Sequence, residues 1–226
     1  MSKQEQLIKE ISELNINTLT EEDIIGIVCR YGLVADPGWD CGKWTEYKVK
    51  DWYTPGIYQT PEQIAQCIME LLKYDINSYL EIGIYQGGSY LLMTNFLKLK
   101  NPNIICIGTD ISEQFMNADV KPHLLGYHIG TSNYFKEMKF DLVFIDGDHT
   151  YKGAKTDWEN VGRFAKMTMF HDIVQPSCPE LIQFWNELKE GKNYKEYCYH
   201  TTGKPVQGIG LIFNSYFDNL FDFMGC

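Results

Sequence analysis

From residue 78 onward, short apolar runs alternate with amphipathic stretches of helical length. The apolar runs predict strands at 78–82, 104–109, 128–130, 142–145, 168–170, 197–201 and 208–213, and the other stretches predict helices at 89–98, 150–164 and 179–189. Strands joined by helices form βαβ units, in which successive strands run parallel. The alternation therefore predicts an α/β chain with a mostly parallel sheet of seven strands.

The first 59 residues have a different pattern. Two short helical patterns, the second starting at the cap-like Thr20, precede a stretch rich in Gly, Pro and Trp. A further helix is predicted after Thr60, which can cap it, because Pro61 suits the first helical position. We therefore expect an N-terminal helical and aromatic extension at 1–59 and a domain at 60–226.

The aromatic residues of the extension allow two roles. Trp39, Trp44, Trp52 and Tyr53 are crowded just before the domain, with Tyr58 after them. They can form a platform that stacks on the face of a sugar, or they can form the core of the extension itself. We expect the extension to cover the mouth of an active site as a lid, or to contribute to a homodimer or higher homo-oligomer.

Composition excludes several classes of protein. The 20 Lys and Arg against 30 Asp and Glu give a net charge of −10, which disfavours nucleic acid and anionic membrane surfaces as partners. No apolar run approaches the roughly 18 residues of a membrane helix. The first residues, MSKQEQLIKEISEL, are polar and do not have the pattern of a signal peptide. A cytoplasmic protein is therefore expected. The seven cysteines are scattered without a CxxC pair, which indicates neither a disulfide framework nor a thiolate zinc site.

A glycine-rich turn joins the first predicted strand of the sheet to a helix. Its sequence is Glu81-Ile82-Gly83-Ile84-Tyr85-Gln86-Gly87-Gly88-Ser89. Such a turn lets the backbone approach a ligand and points helix N–H groups at it, although it can also be a simple tight turn. Tyr85 stands where a dinucleotide fingerprint needs glycine, which counts against NAD.

An acidic residue, Asp110, ends the next predicted strand, about 22 residues after Gly88. A carboxylate at this place can accept hydrogen bonds from both ribose hydroxyls, or it can cap a helix. Together, the turn and Asp110 favour a cofactor that contains adenosine.

These motifs, with FDLVFIDGDHTY and the later strand ending Phe-His-Asp, resemble class I S-adenosylmethionine-dependent methyltransferases. The most similar branch is the small O-methyltransferases of natural-product and polysaccharide sugars, related to the macrocin and mycinamicin enzymes and the cephalosporin hydroxylase group. The resemblance covers about 55–215 and implies a Rossmann-like doubly wound sheet. It implies that S-adenosylmethionine is held by a set of cofactor residues: Glu81, Gly83, Gly87, Gly88 and Ser89 at methionine, Asp110 and Ile111 at ribose, and Thr131 and Ser132 near adenine. Relatives often carry Asp where this chain has Thr131, and in relatives the segment matching Tyr58 and Gln59 covers the methionine end.

Two predicted strand ends carry the residues for chemistry. Asp146, Asp148 and His149 follow one strand, and His171 and Asp172 end the adjacent one. In an open α/β sheet these positions meet at the crevice where ligands bind. An alcohol must lose its proton as it accepts a methyl group, and a divalent cation with a nearby base promotes that loss.

The resemblance assigns roles to these strand-end residues. It implies that Asp146 and Asp172 are magnesium ligands, that Asp146 and His149 are catalytic, and that His149 is the general base. Asp148 is expected to be a turn carboxylate or a partner of the ligands. His171 departs from the Glu-Asp or Asp-Asn of relatives: it can point away, join a site for a softer ion such as Mn²⁺, or indicate that the metal is lost.

The expected function is methylation of a hydroxyl on a sugar or sugar-containing small molecule. A phenolic, catechol-type acceptor is the alternative. So is a non-catalytic module that binds S-adenosylmethionine. An iron oxygenase is a further reading, because His149, His171 and a carboxylate supply two imidazoles and one acid, but it leaves the glycine turn unexplained.

Overall fold

The computed structural model describes residues 1–31, 57–198 and 206–214. Its strands are β1 (Ser78–Ile82), β2 (Ile105–Asp110), β3 (Tyr127–Ile129), β4 (Leu142–Ile145), β5 (Met167–His171), β6 (Asn193–Tyr197) and β7 (Ile209–Phe213). Its helices are α1 (Lys3–Ser12), α2 (Glu21–Arg30), α3 (Pro61–Leu71), α4 (Gly88–Lys100), α5 (Tyr151–Asn160) and α6 (Pro179–Lys189).

The strands form one seven-stranded sheet with the order β3-β2-β1-β4-β5-β7-β6. All pairs from β3 to β5 are parallel, and β7 is antiparallel to both β5 and β6. The mostly parallel, Rossmann-like sheet expected from the sequence is thus confirmed. The chain passes from β1 to β2 on one side and later returns to β4 on the other, so β1 and β4 flank the switch point where such sheets bind ligands.

The two largest differences from the predicted element boundaries are at β6 and at the end of α5. The strand expected at 197–201 lies at Asn193–Tyr197, and residues 199–205 are outside the described part. Within the described part of the chain, this edge strand pairs with β7 alone, and it is largely exposed, so it lacks the apolar run that marks a buried strand. The helix expected at 150–164 ends at Asn160, and a 3₁₀ turn at Gly162–Phe164 leads into β5.

Helices cover both faces of the sheet. On one face, α1 and α2 pack on α4 and α3, and Leu7, Ile11 and Ile24 are buried in the same cluster as Tyr79 and Phe144 of the sheet. On the other face, Trp158 and Trp185 of α5 and α6 pack with Phe170. Residues 1–31 therefore contribute to the main core, while Trp39, Trp44, Trp52 and Tyr53 lie outside the described residues.

None of the helices in the described part of the chain is both long enough and apolar enough to cross a membrane.

Candidate active site

A cleft of about 1290 Å³ lies at the carboxyl ends of the parallel strands. Its walls are the segments that follow β1, β2, β3, β4 and β5, closed by Tyr58, Gln59 and Gln207. Pockets for one small ligand usually measure about 300–1,000 Å³. The cleft therefore has room for two ligands side by side.

Gly83 lets the turn after β1 pack against the end of β4. It has a φ of +85°, and a Cβ there would lie 2.2 Å from the carbonyl oxygen of Asp146. Its own N–H donates to the carbonyl of Thr109 at 2.8 Å. Gly87, at φ +86°, occupies the N-cap position of α4 without a side-chain cap, and Gly88 is the first residue of that helix. Gly83 and Ser89 line the cleft, whereas Gly87 and Gly88 are not among its lining residues.

Asp110 ties that turn to the end of β2. One carboxylate oxygen accepts the N–H of Tyr85 at 2.8 Å, and the other accepts the N–H of Ser112 at 3.2 Å. The carboxylate lies on the cleft wall beside Ile111, which is 76% exposed. The tie from Tyr85 was not predicted, because a backbone donor leaves no signature in sequence.

Polar side chains cluster at the end of the cleft beyond β3. Thr131 and Ser132, which were predicted to lie near adenine, line this end. Ser132 accepts a hydrogen bond from the Asn160 amide at 2.9 Å, and Asp157 lies beside them on α5. Burial raises the pKa of Asp157 to about 6. Asp157 and Asn160 were not predicted, since they lie on a helix distant in sequence from Ser132.

Glu81 lies under the turn and is completely buried. The hydroxyls of Tyr79 and Ser89 both donate hydrogen bonds to its carboxylate. Burial outweighs these bonds and raises the pKa of Glu81 to about 8. Glu81 is thus separated from the open cleft, and Ser89 stands between the two.

The strand-end acids and histidines form one connected cluster. Asp146 Oδ1 lies 3.3 Å from His149 Nε2 and 3.2 Å from His171 Nδ1, while Asp146 Oδ2 accepts the Gln59 amide at 2.8 Å. Asp172 approaches both histidines, with Oδ1 3.5 Å from His171 Nδ1 and Oδ2 3.5 Å from His149 Nδ1. His171 therefore faces the cluster, which removes the expectation that it points away.

Asp148 lies at the edge of this cluster as a turn residue. Its Oδ1 accepts the N–H of Thr150 at 2.9 Å. A Cβ on Gly153 would come within 2.3 Å of its Cγ, so glycine makes room for it at the start of α5.

The cluster shifts the protonation of its members. Burial alone would raise the pKa of Asp146, but the charge of His171 and hydrogen bonds from both histidines hold it below its ordinary value. Burial opposes charge on His171, yet the carboxylates of Asp146 and Asp172 raise its pKa to about 9. The hydrogen bond to Asp146 is the main reason that the pKa of His149 is raised. The two carboxylates thus stabilise positive charge on the buried His171. A bound cation can supply that positive charge instead.

Non-glycine residues with left-handed backbone occur around the cleft. Tyr85, Asp172 and Gln207 have φ values of +45°, +60° and +55° and line its walls. Such conformations cost of order 1–3 kcal/mol each and concentrate at functional sites. The strain turns the Asp172 carboxylate and the Tyr85 N–H toward the partners described above.

Three aromatic rings form part of the cleft wall. Tyr58 meets Tyr85 edge-on with ring centroids 5.7 Å apart, and Tyr85 lies 5.1 Å from Phe115. Tyr85 and Phe115 are 39% and 53% exposed. The rings offer an apolar surface in the same cleft as the acidic cluster, and Phe115 was not predicted as part of it.

Comparisons with known proteins agree with this architecture. Residues 80–173 match the family model of a methyltransferase domain. An uncharacterized protein of Acanthamoeba polyphaga mimivirus is 26% identical over 179 residues, which cover 65% of this chain and 79% of that protein.

Two solved structures share the fold. The O-methyltransferase TomG of Streptomyces achromogenes, involved in tomaymycin synthesis and solved with SAM, is 16% identical with a TM-score of 0.53, over 95% of this chain and 99% of TomG. An O-methyltransferase of Bacillus cereus solved with SAH is 14% identical with a TM-score of 0.51, over 92% of this chain and 97% of that one.

Proposed function

We propose that this chain, which contains a methyltransferase domain on a class I Rossmann-like sheet, transfers a methyl group from S-adenosylmethionine to a hydroxyl of a sugar or sugar-containing small molecule. The observation that carries the proposal is one cleft that joins the Gly83–Asp110 wall to the cluster of Asp146, His149, His171 and Asp172. The first part suits an adenosine cofactor, and the second suits the activation of a hydroxyl.

The residues along the cleft fit S-adenosylmethionine in their chemistry. Asp110 offers an anchored carboxylate to the ribose hydroxyls, and the turn at Gly83 and Ser89 would take the methionine part. At the far end, Ser132, Asp157 and Asn160 would face the base. A buried acid whose pKa is raised can keep its proton and donate a hydrogen bond. Asp157 would therefore replace the Asp that relatives often carry at the position of Thr131. When bound, the cofactor supplies an electrophilic methyl group on its sulfonium.

The strand-end cluster fits a divalent cation. Asp146, His171 and Asp172 bring two carboxylate oxygens and one imidazole nitrogen within 4.8 Å of one another. Magnesium prefers oxygen ligands, whereas Mn²⁺ tolerates one nitrogen, so this donor set favours the softer ion. Bound there, the cation would lower the pKa of a nearby hydroxyl. The buried Nε2 of His171 has no hydrogen-bond partner among the described residues, so its Nδ1 is the atom that serves the site.

His149 is placed to act as the general base. Its Nε2–H can donate to Asp146, which fixes the tautomer and leaves a lone pair on Nδ1. The residue is partly exposed and lies on the cleft wall. In the reaction the acceptor oxygen forms a bond to the methyl carbon, the bond from that carbon to sulfur breaks, and His149 takes the hydroxyl proton.

The walls of the cleft favour an acceptor with a flat apolar face. Tyr58, Tyr85 and Phe115 provide flat apolar surface on which the C–H face of a sugar ring can lie. The same rings can stack on a phenol, which keeps a catechol-type acceptor as the second candidate.

The test measures binding and turnover separately. Titration calorimetry with S-adenosylmethionine should give micromolar binding, and binding should raise the melting temperature. Release of S-adenosylhomocysteine is then measured with methyl glycosides and with catechol, in EDTA and after adding back Mg²⁺ or Mn²⁺. Turnover of glycosides that EDTA abolishes and Mn²⁺ restores is the expected result.

The other outcomes have defined meanings. Turnover of catechol alone would replace the sugar proposal with the phenolic one. Full turnover in EDTA would remove the cation from the mechanism. Binding without turnover of any acceptor would favour a non-catalytic module, and absence of binding would refute the proposed function.

A further inference from the structure

Three different metal-ligating atoms meet at the Cys178 end of the strand-end cluster. The thiol of Cys178, just before α6, lies 3.5 Å from His149 Nδ1 and 3.9 Å from Asp172 Oδ2. His149 Nδ1 lies 3.5 Å from the same carboxylate oxygen. Sulfur, nitrogen and oxygen thus form a nearly equilateral triangle.

The size of this triangle matches one face of a tetrahedral zinc site. Ligand distances of about 2.3 Å to sulfur, 2.0–2.1 Å to nitrogen and 2.0–2.2 Å to oxygen place tetrahedral donors about 3.3–3.6 Å apart. The observed edges differ from that range by at most about 0.3 Å. We propose that His149, Asp172 and Cys178 form a binding site for Zn²⁺, distinct from the cation position at Asp146, His171 and Asp172.

The orientation of His149 supports this assignment. A histidine that ligates a metal through one nitrogen usually donates its other N–H to a carboxylate. Here the Nε2 of His149 faces Asp146 at 3.3 Å, and Nδ1 faces Cys178 and Asp172. The partner that the ligand nitrogen requires is therefore already in place.

The two cation positions select different ions. The inner position holds two carboxylates and an imidazole, whereas the zinc site adds a sulfur ligand that Mg²⁺ and Mn²⁺ do not favour. Asp172 serves both, with Oδ1 toward His171 and Oδ2 toward His149. When Zn²⁺ binds, the Cys178 thiol loses its proton to solvent and the thiolate forms the bond to the metal.

If the chain has the proposed function, binding of Zn²⁺ at this site should affect turnover. Zn²⁺ at this site takes the same Nδ1 lone pair of His149 that would accept the hydroxyl proton. Zinc should therefore inhibit turnover supported by Mn²⁺.

The test measures metal binding directly, so it stands or falls independently of methyl transfer. Co²⁺ is the spectroscopic probe for zinc sites, because a bond from cobalt to a thiolate produces a charge-transfer band in the near ultraviolet. The full chain is titrated with Co²⁺ alone, and Zn²⁺ is then added to displace it. Cys178→Ser removes the sulfur, and Cys198→Ser is the matched control, since Cys198 is also a partly buried free cysteine but belongs to neither cation group.

The expected band appears at one equivalent of Co²⁺ in the wild type and in Cys198→Ser, and it is absent in Cys178→Ser. Loss of a ligand should weaken zinc binding by about 100-fold or more, because loss of outer partners alone costs 10–100-fold. Mn²⁺ affinity should change little in Cys178→Ser. No band in the wild type, or an equal band in Cys178→Ser, would overturn the proposal.

A second variant guards against failure of the first to fold. His149→Asn removes the nitrogen ligand and leaves the thiol in place, so zinc affinity should fall by a similar factor of about 100. A decrease of less than tenfold in a folded His149→Asn protein would also overturn the proposal.

Discussion

Replacing Gly83 with alanine should destabilise the protein through contact with the end of a neighbouring strand. The new Cβ would lie 2.2 Å from the carbonyl oxygen of Asp146, whereas real Cβ atoms essentially never come within 3.0 Å of a neighbouring non-hydrogen atom. The turn and the end of β4 must therefore move apart by about 0.8 Å. The neighbour is backbone held in the sheet, so no side chain can swing aside.

Two costs combine in this substitution. An L-residue at a φ of +85° costs roughly 1–2 kcal/mol, and forced overpacking costs roughly 1–3 kcal/mol. The free energy of unfolding should therefore fall by about 2–5 kcal/mol. The turn also carries the Tyr85 N–H that binds Asp110, so we expect affinity for S-adenosylmethionine to fall with it.

Gly191→Ala is the matched control for this experiment. Gly191 has a φ of +69°, but no atom of the described residues lies within 4 Å of a Cβ built there. Urea unfolding with linear extrapolation should show a loss of only about 1–2 kcal/mol, with cofactor affinity unchanged. If both variants lose the same stability, the close approach of Gly83 to Asp146 is not what makes glycine necessary there.

Three further predictions concern individual side chains. Asp110→Ala should weaken binding of S-adenosylmethionine by roughly 1.5–3 kcal/mol in calorimetry through loss of charge-assisted hydrogen bonds, and unchanged affinity would refute the ribose assignment. His149→Ala should lower turnover by roughly 10²- to 10⁴-fold with cofactor affinity retained. Wild-type turnover should rise with pH, with a midpoint above the ordinary histidine pKa of 6.5, because Asp146 raises the pKa of His149. Glu81 keeps its proton in the folded state up to about pH 8 but loses it near 4.5 when unfolded, so its contribution to stability declines across that interval, by at most about 1.4 kcal/mol per pH unit. Unfolding free energies of the wild type and of Glu81→Gln are measured at pH 5, 6, 7 and 8, and this decline with pH should be absent from the variant. The same decline in both proteins would contradict the buried, protonated state of Glu81.

The central strands β1, β4 and β5 were predictable because they are buried on both faces. β1 and β4 lie at the predicted residues, and the ends of β2, β3 and β5 differ from prediction by one or two. Buried parallel strands are continuous apolar runs, and their polar ends mark the ligand edge of the sheet. Edge strand β6 has no such run, and its predicted position was wrong by about four residues.

The roles of glycine were only partly visible. The sequence indicated that the turn containing Gly83 lets the backbone approach a ligand, but the atom that requires glycine is the carbonyl oxygen of Asp146, 63 residues away along the chain. The neighbour of a glycine depends on strand order, which local sequence does not contain.

The amino-acid sequence by itself determined the elements of the sheet and the residue types at its carboxyl edge, since burial and strand ends follow from local hydrophobic pattern. Tertiary structure decided which of those residues meet. It brought Gln59 to Asp146, placed Asp157 beside Ser132, and set Cys178 against His149 and Asp172. These contacts join segments whose spacing in sequence carries no sign of their distance in space, because the order in which the strands pack brings them together.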